Sequence, residues 1–105
     1  MVKRPAKHCP IARALELVGD RWTLLILRDL HLEGPQKFHE LQDSVDGIGP
    51  TTLSDRLKVM LANGIIERRF YSDHPPRAEY LMTDKGKGLL PVLKALKTWG
   101  EGHLS

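Results

Sequence analysis

The chain has 105 residues, 41% hydrophobic and 28% charged, with a formal net charge of +3 and a sequence pI near 9.2. These values fit one globular domain with a modest core. The single cysteine excludes an intrachain disulfide. No apolar run approaches the length of a membrane span and no signal peptide is visible, so the expected location is cytoplasmic with no membrane partner. The histidines at positions 8, 31, 39, 74 and 103 form no metal-ligand spacing with one another or with Cys9. Neither a glycine-rich phosphate loop nor a nucleophile elbow occurs, so the expectation is a protein that is not an enzyme and holds no metal or cofactor.

Residues 1–8 carry Lys3, Arg4 and Lys7 and are expected to be a basic flexible arm. Pro10–Val18 reads as a short helix with Cys9 at its cap. Gly19-Asp20 breaks it, and Asp20 is placed to cap the next helix, residues 21–31, whose Trp22, Leu24, Leu25, Ile26 and Leu27 suit a central position in the core. Glu33-Gly34-Pro35 ends that helix. Residues 36–38 are expected to add a short strand. Residues 39–45 form a further helix with Phe38, Leu41 and Val45 turned inward, and residues 46–49 a turn.

The next segment, GIGPTTLSDRLKVMLANGIIERRF, is the most informative. Pro50 suits a first helical turn, and Gly49 can cap it. Leu53, Leu57, Met60 and Leu61 share one face, while Thr51, Asp55, Lys58 and Ala62 share the opposite one. Asn63-Gly64 ends the helix. An outward face that is short and polar at its N-terminal end suits entry into a DNA major groove. Residues 65–71 and 77–82 then read as two strands around SDHPP, with Pro75-Pro76 at the tip and Arg68, Arg69 and Arg77 on the arms. A basic hairpin directly after such a helix is the pattern of a winged helix, mainly α with a small β-hairpin.

The last helix is expected over residues 84–102, capped by Thr83 and kinked at Pro91. Its stripe of Leu89, Leu90, Val92, Leu93, Leu96 and Trp99 exceeds what so small a core can cover. It either folds back over its own domain or packs, together with the first helix, against a second copy. The second reading is favoured, with Leu89, Leu93, Leu96 and Trp99 at the dimer interface. No linker divides residues 9–105, which are read as one domain after the arm.

Four fragments in this order carry a family likeness: CPIARALELVGDRWTLLILRDL, KFHEL, GIGPTTLSDRLKVMLANGIIERR and HPPRAEYLMTDKGKGLLPVLKALKTWGEGHL. Over residues 9–104 the chain resembles the HxlR-type winged helix-turn-helix transcriptional regulators, relatives of the MarR group. Gly49 is a departure, since members often carry Ser there. The resemblance implies a homodimer on double-stranded DNA, at a pseudo-palindromic operator, acting more often as a repressor. It also implies that a cysteine at the position of Cys9 serves some members as an oxidant or electrophile sensor.

The candidate DNA contacts are then assigned by chemistry. Thr51, Thr52 and Ser54 are short groups for phosphates, base edges or a thymine methyl. Arg56 and Lys58 are the strongest cations, with Arg56 able to grip guanine or a phosphate. Asp55 either accepts from cytosine or orients a neighbouring Arg, or else pairs with Lys58 within its own helix. Lys37 and His39 lie where a first helix would meet the backbone, and Arg69, His74 and Arg77 lie in the hairpin. For Cys9 two readings stand. Free N–H groups and the cations Lys7, His8 and Arg13 favour a reactive thiolate, whereas a buried thiol packs inertly. The alternative function is a winged-helix protein-interaction module without specific DNA binding.

Overall fold

The computed structural model describes residues 8–104. In chain order these form α1 (Pro10–Val18), α2 (Thr23–Glu33), β1 (Gln36–Lys37), α3 (Phe38–Ser44), α4 (Pro50–Ala62), β2 (Ile66–Asp73), β3 (Pro76–Met82), α5 (Asp84–Lys87) and α6 (Leu90–His103). The molecule is mainly helical with one small antiparallel sheet. It is a winged helix-turn-helix, in which α3 and α4 are the helix pair and β2–β3 the wing. Apart from His8, the expected basic arm lies outside the described residues.

Cys9 stands in extended conformation at the N-cap of α1, and its Sγ accepts from the backbone N–H of Ala12 at 3.4 Å. Pro10 follows in the first turn, where its missing donor costs nothing. The second helix starts two residues later than the sequence suggested. The Asp20 carboxylate accepts from the backbone N–H groups of Trp22 and Thr23 at 2.9 and 3.0 Å and from the Thr23 hydroxyl at 2.6 Å. Arg21 and Trp22 are thereby held in a bend, and helical pairing begins only at Thr23.

The core lies between α2, α3, α4 and the sheet. Ile26, Leu27, Leu41, Leu53 and Met60 are wholly buried there. Each such side chain contributes about 1.5–3 kcal/mol on burial. One charged group enters this layer. Asp29 is buried, and it accepts from Arg28 Nε and from the Ser44 hydroxyl, both at 2.8 Å. Because both carboxylate oxygens are satisfied, the burial is tolerated and ties α2 to α3.

The sheet order is β1-β3-β2, with β3 in the centre. The strand expected at residues 36–38 is shorter by one residue, because Phe38 opens α3 instead. The wing strands are longer than expected: Asp73 pairs with Pro76 at the tip, and Ser72 with Arg77. A bulge between Phe70 and Ser72 then shifts the register, so that Arg69 lies opposite Glu79 and Ile66 opposite Met82.

The chain after the wing returns to the end of α4 and closes on it. Gly64 there has φ 71°, which ends α4 in a conformation that side chains rarely adopt. Lys85 Nζ donates to the Asn63 carbonyl at 2.8 Å, and the Thr83 hydroxyl donates to the Gly64 carbonyl. The Thr83 backbone N–H donates to the Ile65 carbonyl at 3.2 Å. Thr83 also caps α5 as expected, accepting from the Gly86 N–H at 3.1 Å. Gly86 presses on this corner so closely that a Cβ there would sit 2.0 Å from the Ile65 carbonyl oxygen.

The long final helix of the sequence reading is instead two helices. α5 stops at Gly88, and α6 starts afresh at Leu90. Pro91 falls in the first turn of α6, where it starts a helix and does not kink one. No residue of α6 is buried.

Gly86→Ala is expected to destabilise by about 1–3 kcal/mol, because a backbone carbonyl must move to make room. Gly100→Ala, in a helix and with no atom within 4 Å of the new methyl, is expected to stabilise by about 0.4–1 kcal/mol. Urea unfolding of both variants checks the contrast.

Candidate nucleic-acid interface

α4 presents its polar face as its sequence pattern demands. Leu53, Leu57 and Met60 are buried, while Thr51, Thr52, Asp55 and Lys58 are exposed and Ser54 is half-buried. Gly49 supplies an extended N-cap with no side-chain hydrogen bond, which leaves first-turn N–H groups available to an anion. Asp55 and Lys58 form no ion pair with each other among the described residues, so the within-helix partnership considered for Asp55 is not made.

Arg56 departs from expectation. Expected on the helix flank to reach guanine or a phosphate, it has its Nη1 3.2 Å from Asp20 Oδ1, with both side chains about three-quarters covered. Burial pushes the Asp20 carboxyl up. The Thr23 hydroxyl, the Trp22 and Thr23 N–H groups and the Arg56 guanidinium more than offset this and hold it below the ordinary carboxylate value. Arg56 therefore acts structurally, tying the middle of α4 to the α1–α2 junction. The Trp22 ring reaches the same region from below, 3.9 Å from where a Cβ on Gly47 would stand, and carries Arg21 on its face at 4.9 Å.

The shoulder beside α4 is built from β1 and α3. The Lys37 backbone N–H donates to Glu40 Oε1 at 2.9 Å, which fixes the start of α3 and leaves His39 exposed in its first turn. The Lys37 ammonium sits over the Tyr71 ring at 5.2 Å. In the wing, Arg69 Nε and Nη2 donate to Glu79 Oε1 at 3.2 and 2.7 Å. Arg68 lies over the Phe70 ring at 5.1 Å. His74 and Arg77 are exposed at the tip. Thr51, Thr52, Asp55, Lys58, His39, His74 and Arg77 thus remain open, whereas Lys37 and Arg69 are already engaged. Glu79 enters through the strand register, Phe70 lies two residues from Arg68 along β2, and Tyr71, in the bulge, meets Lys37 of β1.

The expected apolar stripe divides. Leu89 and Leu93 are half-buried against the chain's own core, whereas Leu96 and Trp99 are roughly half exposed at 52% and 56%. On α1, Ile11 and Leu15 are exposed as well, an i, i+4 apolar pair that the sequence already carried. Cys9 is half-buried at the start of that helix. Among the described residues no helix is long and apolar enough to cross a membrane, and no cluster of His, Cys, Asp and Glu could hold a metal ion.

Comparison with known proteins places this geometry. Residues 17–105 match the HxlR-like helix-turn-helix family. An uncharacterized HTH-type transcriptional regulator of Mycobacterium tuberculosis is 43% identical over 94 residues, covering 90% of this chain and 58% of that protein. The chain thus spans little more than half the length of that relative. Among solved structures, a MarR-family transcriptional regulator from Porphyromonas gingivalis W83 superposes with a TM-score of 0.87 at 29% identity, over 98% of this chain and 100% of its own. The reduced form of the transcriptional regulator YodB from Bacillus subtilis gives 0.77 at 32%, over 92% and 95%. The oxidized form of the redox regulator HypR gives 0.80 at 30%, over 92% and 99%.

Asp20→Asn is expected to lower stability at neutral pH by about 1 kcal/mol, through a weaker cap and a lost partner for Arg56. Because the folded carboxyl titrates below its unfolded value, the gap to wild type is full above the unfolded value and closes as pH falls through the folded one. Urea midpoints of both proteins across the acid range check this.

Proposed function

The chain belongs to the HxlR-like helix-turn-helix family, and we propose that it is a sequence-specific DNA-binding transcriptional regulator that works as a two-fold dimer in the cytoplasm. The observation that carries this reading is the exposed face of α4, where the side chains of Thr51, Thr52, Asp55 and Lys58 have no partner among the described residues. Beside it the wing exposes His74 and Arg77 at its tip. Thr51, Thr52 and Ser54 reach phosphates or base edges, Lys58 neutralises a phosphate, and Asp55 accepts from cytosine. His39 and Lys37 meet the backbone on the shoulder, and the tip follows it outward. An apolar, uncharged recognition face would favour a protein-interaction module; this face is polar and carries a cation, which favours DNA.

Dimerisation is supported by the exposed Ile11 and Leu15 on α1 and Leu96 and Trp99 on α6. Two copies related by a two-fold axis would present two α4 helices to a pseudo-palindromic operator. Repression is the simplest output, since an occupied operator blocks the polymerase. The reading assigns no catalysis, metal or cofactor.

Wild type is expected to bind duplexes whose half-sites lie about 10–10.5 base pairs apart, or a multiple of that. Lys58→Ala should flatten the log–log salt slope by about 0.9. Leu96→Glu with Trp99→Glu should give monomers that bind only weakly. Fluorescence anisotropy and light scattering read these outcomes. Equal affinity for random and selected duplexes, or a well-folded wild-type monomer at micromolar concentration, would sink the reading.

The regulator is also proposed to respond to oxidants or electrophiles through Cys9. HypR is a redox regulator by its description, and Cys9 lies at the start of α1, beside the exposed Ile11. As the chain's single cysteine, its disulfide partner would have to come from another molecule, such as the second subunit. Oxidation to a sulfenic acid, or to that disulfide, would change how the two α1 helices meet and so the spacing of the α4 pair. Diamide treatment should release wild type from DNA and leave Cys9→Ser bound; retention of full affinity by oxidised wild type excludes the sensor.

A further inference from the structure

Glu79 sits on the central strand β3, in register with Lys37 of β1 on one side and Arg69 of β2 on the other. Arg69 directs both Nε and Nη2 to one oxygen of this carboxylate. The arrangement is layered: the Arg69 side chain is 57% exposed and that of Glu79 only 24%. The guanidinium is therefore the outer group and the carboxylate lies beneath it. The Lys37 ammonium lies over the Tyr71 ring at 5.2 Å. On this face of the sheet Lys37 and Arg69 are thus already occupied, while Arg77 at the tip and Lys58 on α4 have no such partner among the described residues.

We propose that Glu79 is a specificity-determining residue of the wing, which withholds Arg69 from phosphates until the rest of the interface is in register. The proposal rests on the DNA-binding reading above. Affinity for DNA of any sequence comes mainly from cations that displace counterions from phosphates. A cation paired with a carboxylate contributes little until the pair opens, and the carboxylate left behind repels the phosphate that approaches. Exposed ion pairs are weak, so contacts made by α4 on a matched site suffice to open this one. On an unmatched site those contacts are missing and Arg69 stays with Glu79. The wing thereby suppresses binding to the wrong sequence more than to the right one, as a repulsive element should.

The test measures anisotropy of a random-sequence duplex and of a duplex recovered by selection, from about 50 to about 200 mM salt. Glu79→Gln is expected to raise affinity for the random duplex by about three- to tenfold at low salt and to steepen its log–log slope by about 0.9. Affinity for the selected duplex should rise less, so that the ratio between them falls. Glu79→Asp, which keeps the charge but shortens the reach, should move both quantities in the same direction by a smaller amount, and serves where Glu79→Gln does not fold. In an Arg69→Ala background the gain from Glu79→Gln should disappear. Unchanged random-duplex affinity and slope in folded Glu79 variants overturns the proposal, as does a gain that survives Arg69→Ala. If wild type binds neither duplex, the DNA-binding reading falls, and this proposal with it.

Discussion

The segment after the wing closes on the end of α4 through the backbone carbonyls of residues 63–65. The Ile65 carbonyl receives the Thr83 N–H and has Gly86 resting against it, while the Asn63 and Gly64 carbonyls are taken by Lys85 and Thr83. These carbonyls lie just past the end of α4, where the N–H groups of Asn63, Gly64 and Ile65 close back on Val59, Leu61 and Met60. Residues from beyond the wing satisfy them and fasten the base of the hairpin to the end of the helix. The close approach allows no side chain at position 86. The end of α4, the base of the hairpin and the start of α5 are therefore fastened to one another at this corner.

α4 is held at its middle from the other side. Asp20 caps α2 with one carboxylate and uses the same group to receive Arg56. A single residue thus marks where α2 begins and ties it to the flank of α4, whose rotation follows from the burial of Leu53, Leu57 and Met60. The wide apolar face and the Arg56 flank are then committed to the interior, and only the face with Thr51, Asp55 and Lys58 is left for a ligand. α1 ends immediately before this junction, at Val18. The covalent chain therefore runs from Cys9 through one short helix to Asp20, the residue that meets the flank of α4.

Much of this was readable in the sequence because it follows from local rules. Cys9-Pro10, Asp20, Gly49-Pro50 and Thr83 mark helix starts by their chemistry, and the α4 face follows from its period. The readings that changed depend on tertiary context. Pro91 is compatible with both a kink and a start; packing of α5 against Ile65 stops the first helix at Gly88 and decides for a start. Arg56 has the same helical flank in either reading, and only the position of Asp20, thirty-odd residues earlier, draws it inward. Glu79 was invisible for a more specific reason. Extending the tip pairing of Ser72 with Arg77 without a bulge would set Arg69 opposite Tyr80. The extra residue at the bulge brings Glu79 there instead, and no local sequence signal announces it.

α6 is a helix of fourteen residues with no buried side chain, on a molecule 58 Å long and only 34 by 26 Å across. Helices shorter than about 12–15 residues are marginal on their own in water, and α6 starts without the support of a side-chain cap. Its intramolecular support comes from Leu89 and Leu93 at its start, so cohesion declines toward Trp99 and Leu104. An element of this kind draws its remaining stability from whatever covers it. Where a second copy covers this face, as the dimer reading proposes, the stability of the last turns rises with protein concentration.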